Sequence, residues 1–264
     1  MSWEQAYAEI AEKVKAIVAE KGPQALAMVQ DPRPSGKYYS KRFMNALGSA
    51  NVYAHSSSCN LSKESAYQLT IGATGYSNDF ANAKMVMFIG RSYGDGIRPS
   101  SVQSLADAAE NGTRVVIVDP RLNNSGIFAS DWVPINPGTD LALLMAMANV
   151  LIEEDLYDHD FVERWCYGFD EFAERVAYMT PENAAKICEI PVEDIYRVAR
   201  MYAAAKPAAI AWGLAFDQNT NGMQAGHCVL GMICLTGNLD VPGGNIVADL
   251  SMPEDMTGSA AEGQ

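Results

Sequence analysis

Lys84-Met85-Val86-Met87-Phe88-Ile89-Gly90-Arg91-Ser92-Tyr93-Gly94-Asp95-Gly96 leads through a helix-forming run over 102–110 to Arg114-Val115-Val116-Ile117-Val118-Asp119-Pro120-Arg121. Each apolar run has the length and composition of a strand. Ser100 or Ser101 caps the helix between them, and Gly112 stops it. Strand, helix and strand at this spacing make a βαβ unit, which demands a parallel sheet and a right-handed crossover. The fold class is therefore α/β.

Outward from this unit toward the start, 72–78 is a loop rich in Gly, Thr and Ser, and Leu61–Ile71 is a helix. A strand at 51–54, a short helix at 38–47 and a buried strand at 24–29 precede it. Ser2 and Gln5 form a capping box, behind which Trp3, Tyr7, Ile10, Val14 and Ile17 recur at helical spacing until Gly22. Toward the end come a strand at 132–135 and a helix at 141–154 capped by Thr139 or Asp140. A charged helical stretch over 155–206 follows, with pauses at Gly168, Pro181 and Pro191. A strand at 208–215, an apolar helix at 223–235 and a glycine-rich segment at 237–245 complete the core. The expected partners of the 208–215 strand are those at 24–29 and 51–54. That pairing places 1–55 and 207–250 in one discontinuous domain, with 56–206 as an inserted doubly wound domain. Residues 251–264, polar and glycine-bearing, are expected to form a disordered tail.

The chain has 264 residues, enough for one large or two modest α/β units. A net charge of −13 argues against nucleic acid or an anionic membrane as partner. The five cysteines at 59, 166, 188, 228 and 234 contain no C-x-x-C pair, which excludes a zinc knuckle or a cysteine-ligated cluster within these residues. Their odd number and wide spacing exclude a disulfide scaffold. The opening residues read as an amphipathic helix, not as a basic stretch followed by an apolar signal core.

Three loops carry chemistry. The loop at 90–96 offers Gly90, Arg91 and Ser92 at the mouth of a helix, a phosphate-like arrangement, although the dinucleotide pattern G-x-G-x-x-G is not met. Asp119, with Pro120 and Arg121, ends a strand; its carboxylate accepts from ribose or guanine donors, or pairs with Arg121. Asp140, after Pro137 and Gly138, is a second acceptor or a plain N-cap. Two acids beside a phosphate loop point to a guanine-bearing ligand. Cys59, at a strand-to-helix turn, is a soft metal ligand, a nucleophile or a small buried residue. His55 is the nearby titratable group, with a structural role as its alternative.

The segments 115–121 and Ala129-Ser130-Asp131-Trp132-Val133-Pro134-Ile135-Asn136-Pro137-Gly138-Thr139-Asp140-Leu141 resemble the signature of molybdopterin oxidoreductases of the dimethyl sulfoxide reductase family. So do Trp212-Gly213 with Asn221-Gly222 and Gln224, Leu235-Thr236-Gly237-Asn238 and Pro242-Gly243-Gly244-Asn245. The resemblance implies two interleaved, Rossmann-like parallel-sheet units. It also implies a bis(molybdopterin guanine dinucleotide) cofactor carrying molybdenum or tungsten, with Cys59 as metal ligand and the hydroxyls of Ser57 and Ser58 as its nearby competitors. Gly90, Arg91, Ser92, Asp119, Pro120, Arg121, Pro137, Gly138, Asp140, Gly213, Asn221 and Gln224 would bind the cofactor. Arg91-Ser92-Tyr93 departs from the family's usual Gly-x-Asn-Pro, so the phosphate contacts carry over loosely.

Two family parts, an N-terminal 4Fe-4S segment and a C-terminal barrel, are expected to flank these residues. The chain then reads as the central, separately inactive part of a longer catalytic subunit. The implied activity is two-electron oxygen-atom, sulfur or formate-type redox chemistry on a small-molecule substrate. The alternatives are a hydratase- or dehydroxylase-like reaction, or non-catalytic binding of a guanine nucleotide. Implied partners are an iron–sulfur electron-transfer subunit and a membrane anchor. The compartment stays open between cytoplasm and export to the periplasm or cell surface.

Overall fold

The computed structural model describes residues 1–30, 37–95 and 99–247. The expected disordered tail at 251–264 and Gly96 of the glycine loop lie outside the described residues. The chain divides into two compact units, Met1–Ser58 and Cys59–Asp249.

In the first unit, α1 (Trp3–Lys21) begins at the predicted capping box: Gln5 N–H donates to the Ser2 hydroxyl, and Ser2 N–H donates to the Gln5 side chain. It ends at Gly22. No residue of α1 is buried, and Trp3, Tyr7, Ile10 and Ile17 are all exposed. The expected buried strand at 24–29 is instead a 3-10 turn (Pro23–Ala25) and a three-residue strand β1 (Met28–Gln30) whose Val29 faces solvent. After α2 (Lys37–Leu47), β2 (Val52–Ala54) pairs with β1 in parallel. A 3-10 turn over His55–Ser58 closes the unit.

The second unit is built on a four-stranded parallel sheet in the order β6-β5-β4-β7. Its strands are β4 (Met85–Ile89), β5 (Arg114–Val118), β6 (Asp131–Val133) and β7 (Ala208–Trp212). A short antiparallel pair accompanies it, β3 (Tyr76–Asn78) with β8 (Asn245–Val247). Period-two alternation sends Met85, Met87, Ile89, Val116 and Val118 to one face and Val86, Phe88, Val115 and Ile117 to the other. The first face packs on α5 (Asp140–Glu153) and α11 (Gly222–Leu235). The second packs on α4 (Pro99–Glu110). Both faces are covered, as a parallel sheet requires.

α3 (Leu61–Ile71) lies along α11. The charged stretch resolves into α6 (His159–Trp165), α7 (Phe169–Ala177), α8 (Pro181–Cys188) and α9 (Val192–Ala204). A short helix, α10 (Leu214–Asp217), follows β7 directly and truncates the strand expected over 208–215.

One expectation is corrected by this topology. β7 pairs with β4, Met85 opposite Ala208 through Ile89 opposite Trp212, and not with β1 or β2. Residues 207–249 therefore join 59–206 in one unit and do not share a sheet with 1–55. The reason is burial. All five residues of β7 are buried, whereas β1 and β2 offer only half-buried and exposed positions. A strand apolar on both faces gains more inside the covered sheet.

Candidate functional site

The connections from β4 through β5 to β6 run away from β7, so the chain's direction of winding reverses between β4 and β7. Open parallel sheets bind ligands beyond the carboxyl ends of their strands at such a point. A cleft of about 770 Å³ opens there, lined by Lys63, Tyr67, Tyr76, Arg91, Trp212 and Ala215 among others. Two glycines shape its floor. A Cβ on Gly213 would lie 2.0 Å from the Gly90 carbonyl oxygen, and one on Gly90 would lie 2.6 Å from Ala215 Cβ. Only glycine permits this approach, and Gly90 also holds a positive φ of 54°.

Arg91 reaches across the junction. Its Nη1 donates to the Trp212 carbonyl at 3.0 Å, and its guanidinium lies 4.6 Å from the Tyr93 ring centroid. Its Nε is buried and has no partner. The loop amides behave differently from the expectation of a free phosphate cradle. Gly90 N–H donates to the Val118 carbonyl, and the N–H groups of Tyr93 and Gly94 both donate to Ser125 Oγ at 2.9 and 3.0 Å. Ser92 Oγ also lies 3.3 Å from that hydroxyl. Ser125, fully buried, was not expected at the site. Its signal in sequence is the Asn123-Asn124-Ser125 turn chemistry.

Asp119 is not ion-paired to the Arg121 side chain. Its Oδ1 accepts the Arg121 backbone N–H at 2.9 Å, and Oδ2 accepts from Asn123 Nδ2 at 3.1 Å. The Arg121 guanidinium turns to Asp95 at 3.0 Å. Pro120 and Arg121 are exposed beside it.

Asp140 is only 8% exposed. Burial raises its carboxyl above the usual range, and the Asp119 charge pushes in the same direction. Asp119 directly follows β5, and Asp140 opens α5. Gly138, at φ 80°, turns the chain into α5 after Pro137, and both are exposed. A Cβ on Gly138 would approach Asn219 Oδ1 at 3.4 Å, so the loop after α10 borders the same turn. Asn221 starts α11 with its carbonyl accepting Ala225 N–H at 3.0 Å, while Gln224 is exposed on that helix's first turn.

Cys59 is half-buried in the turn before α3, and the neighbouring Asn60 lines the cleft. Ser57 and Ser58 are exposed, and the Ser58 hydroxyl donates to the His55 carbonyl at 3.1 Å. His55 is exposed, at the start of the 3-10 turn that closes the first unit. Among the described residues no group of three or more His, Cys, Asp or Glu side chains would hold a metal on its own. Three further residues emerge here. Lys63 Nζ donates to the Trp212 carbonyl at 3.0 Å and lies 4.5 Å from the indole centroid. Trp212 Nε1 donates to Tyr67 at 3.2 Å. Asp217 accepts Lys63 N–H at 2.7 Å, and burial raises its carboxyl too.

Comparison with known proteins gives the geometry a context. The molybdopterin oxidoreductase family model matches residues 1–252. Acetylene hydratase of Syntrophotalea acetylenica is 35% identical over 234 residues, covering 87% of this chain and 32% of that protein. The molybdopterin-containing subunit of thiosulfate reductase from Salmonella typhimurium is 37% identical over 249 residues, 92% of this chain and 32% of its own length. Formate dehydrogenase H of Escherichia coli is 31% identical over 249 residues, again 92% of this chain and 35% of that protein. The solved structure of acetylene hydratase from Pelobacter acetylenicus superposes with a TM-score of 0.81 at 34% identity, covering 94% of this chain and 34% of that one. The chain thus spans about a third of the length of these relatives.

Proposed function

The chain belongs to the molybdopterin oxidoreductase family, and from that premise we propose that it is the central part of a catalytic subunit holding a bis(molybdopterin guanine dinucleotide) on molybdenum or tungsten. The observation that carries the reading is the unpartnered, buried Nε of Arg91 beside the Gly90–Gly213 contact. A buried donor left open costs about 1–3 kcal/mol, which an anionic group in the cleft would offset. The acceptors Asp119 and Asp140 would fit the N1–H and N2–H donors of guanine.

Cys59 would supply the protein's ligand to the metal. Gly90, Arg91 and Ser92 would hold a phosphate, Gly213 would allow the close approach, and Asp119, Pro120, Arg121, Pro137, Gly138 and Asp140 would enclose the guanosine end. Asn221 and Gln224 would contact the cofactor from the start of α11, and His55 would serve as a proton carrier near the metal. When bound, the cofactor supplies two-electron chemistry at the metal, and the protein orients it and tunes its electronics. A small-molecule redox substrate, an iron–sulfur electron-transfer subunit and a membrane anchor complete this reading, with the subunit cytoplasmic or exported. Residues 1–264 alone are expected to be catalytically silent.

Two reactions have support from relatives. Sulfur-type reduction follows the likeness to the thiosulfate reductase subunit, and hydration follows the likeness to acetylene hydratase. The complete, metal-loaded subunit should be assayed with thiosulfate and reduced viologen, and separately with acetylene without any reductant. Viologen oxidation that tracks metal content supports the redox reading; acetylene hydration without electron input supports the second. Stoichiometric absence of pterin and metal from the purified subunit would leave the non-catalytic nucleotide-binding reading.

A further inference from the structure

The helix that follows Cys59 lacks its own cap. Asn60 occupies the N-cap position of α3 but makes no side-chain capping bond; its amide instead donates to Glu64 Oε1 at 2.8 Å. The missing acceptor comes from far along the chain. Asp217 Oδ1, at the end of α10, accepts the Lys63 backbone N–H at 2.7 Å. That amide is one of the open donors in the helix's first turn. Two more bonds tie the same turn to the same segment: Ser62 Oγ donates to the Asp217 carbonyl at 3.4 Å, and Lys63 Nζ donates to the Trp212 carbonyl at 3.0 Å. The segment 212–217 leaves β7 at the point where the winding reverses, so it is anchored to the sheet through Gly213 N–H and the Ile89 carbonyl.

We propose that Asp217 is the positioning residue for the Cys59 turn: its carboxylate caps α3 from outside and fixes where the thiol stands against the carboxyl end of the sheet. Asp217 is 8% exposed, and its second oxygen, Oδ2, is buried with no partner. A carboxylate introduced merely for helix stability would sit at a solvated N-cap; a buried one with an open oxygen is costly and is kept for where it holds the chain. Gly222 allows this placement, because a Cβ there would meet the Phe216 carbonyl oxygen at 2.3 Å and Asp217 Cα at 3.3 Å.

The inference rests on the reading that Cys59 ligates the metal, and the test separates the two. In the complete metal-loaded subunit, three readouts are taken: amide hydrogen exchange at 61–64, metal content, and the EPR g-values and midpoint potential of the metal. Asp217→Ala should speed exchange at Lys63 by about fivefold or more, as loss of an N-cap does, and shift the g-values and potential at unchanged metal content. Asp217→Asn, whose amide oxygen still accepts from Lys63, should restore both. Should the alanine variant fail to accumulate, Asp217→Val takes its place. A metal signature identical to the wild type in the alanine or valine variant overturns the proposal, and so does an asparagine variant as perturbed as they are. Cys59→Ala is the control: if it leaves the signature unchanged, the ligand assignment itself fails, whatever Asp217 does.

Discussion

Asp140 shows how one carboxylate can cost stability and still be worth keeping. Burial holds its carboxyl above the usual range. A group raised in this way contributes stability below its unfolded value, and that contribution is lost as pH rises through the folded value. Without bound cofactor, Asp140→Asn should therefore be more stable than the parent near pH 7. The advantage should vanish below about pH 3.8, where both forms are neutral. Cofactor retention should change in the opposite sense, weakening about tenfold with loss of one charge-assisted bond. Urea midpoints at pH 7 and pH 3.5, with pterin content after gel filtration, check both signs; a variant neutral in retention would remove Asp140 from the cofactor site. A second residue-scale test concerns Cys166, whose thiol is lowered to about 7 by a hydrogen bond from Cys234, which is itself raised. Cys234→Ala, which removes the donor, should move the alkylation midpoint of Cys166 back toward the ordinary thiol range. An unmoved midpoint would remove Cys234 as the cause.

Among the elements, β7 is the informative one, because it is an edge strand that is nevertheless buried. An open edge needs covering. Here side chains provide the missing ladder: Asn245 accepts Ile210 N–H at 3.2 Å and donates to the Ile210 carbonyl at 2.9 Å, while Asn238 accepts Ala208 N–H at 3.0 Å. Tyr76 and Asn78 donate to the same Ile210 carbonyl. Asn245→Ala should cost about 1–3 kcal/mol, since it strands a buried N–H. Asn78→Ala should cost clearly less, because the carbonyl it serves keeps two other donors. Chemical denaturation of both variants checks the order, and equal losses would refute the capping account.

The same strand marks the limit of what the sequence discloses. Helix α3 and strand β5 are read at their observed bounds, since apolar runs with glycine stops encode local structure directly. The pairing of β7 is not local; it depends on burial supplied by α5, α11 and α4, and β1 looked as apolar as a core strand yet lies at the surface. The place of Asp119 at the end of β5 was legible, whereas Gly213, read inside a strand over 208–215, follows the end of β7 at Trp212. Ser125, Lys63 and Asp217 were not legible, because each acts across more than thirty residues of chain on a backbone group.

At the scale of the whole molecule, the two compact units differ in what holds them. The second is centred on a core in which Met85–Ile89, Val115–Val118 and the β7 residues are essentially inaccessible. Each fully buried aliphatic or aromatic side chain there contributes about 1.5–3 kcal/mol. The first has a helix of 19 residues with none buried and a parallel pair of three-residue strands. Most helical stability in proteins comes from packing of an apolar face, which α1 lacks among the described residues. Exposed Trp3, Tyr7, Ile10 and Ile17 on α1 form an apolar stripe that gains nothing from the residues described. Hydrogen exchange should therefore divide the chain. Amides of α1 should exchange through local opening at a rate insensitive to low denaturant, whereas those of β4, β5 and β7 should exchange only on global unfolding. Trypsin should cut first at Lys13, Lys15 or Lys21 and leave the second unit intact. Equal protection of α1 and β4 in residues 1–264 alone would mean that the first unit is stabilised by interactions other than burial, and the reading of α1 as an unpartnered face would fall.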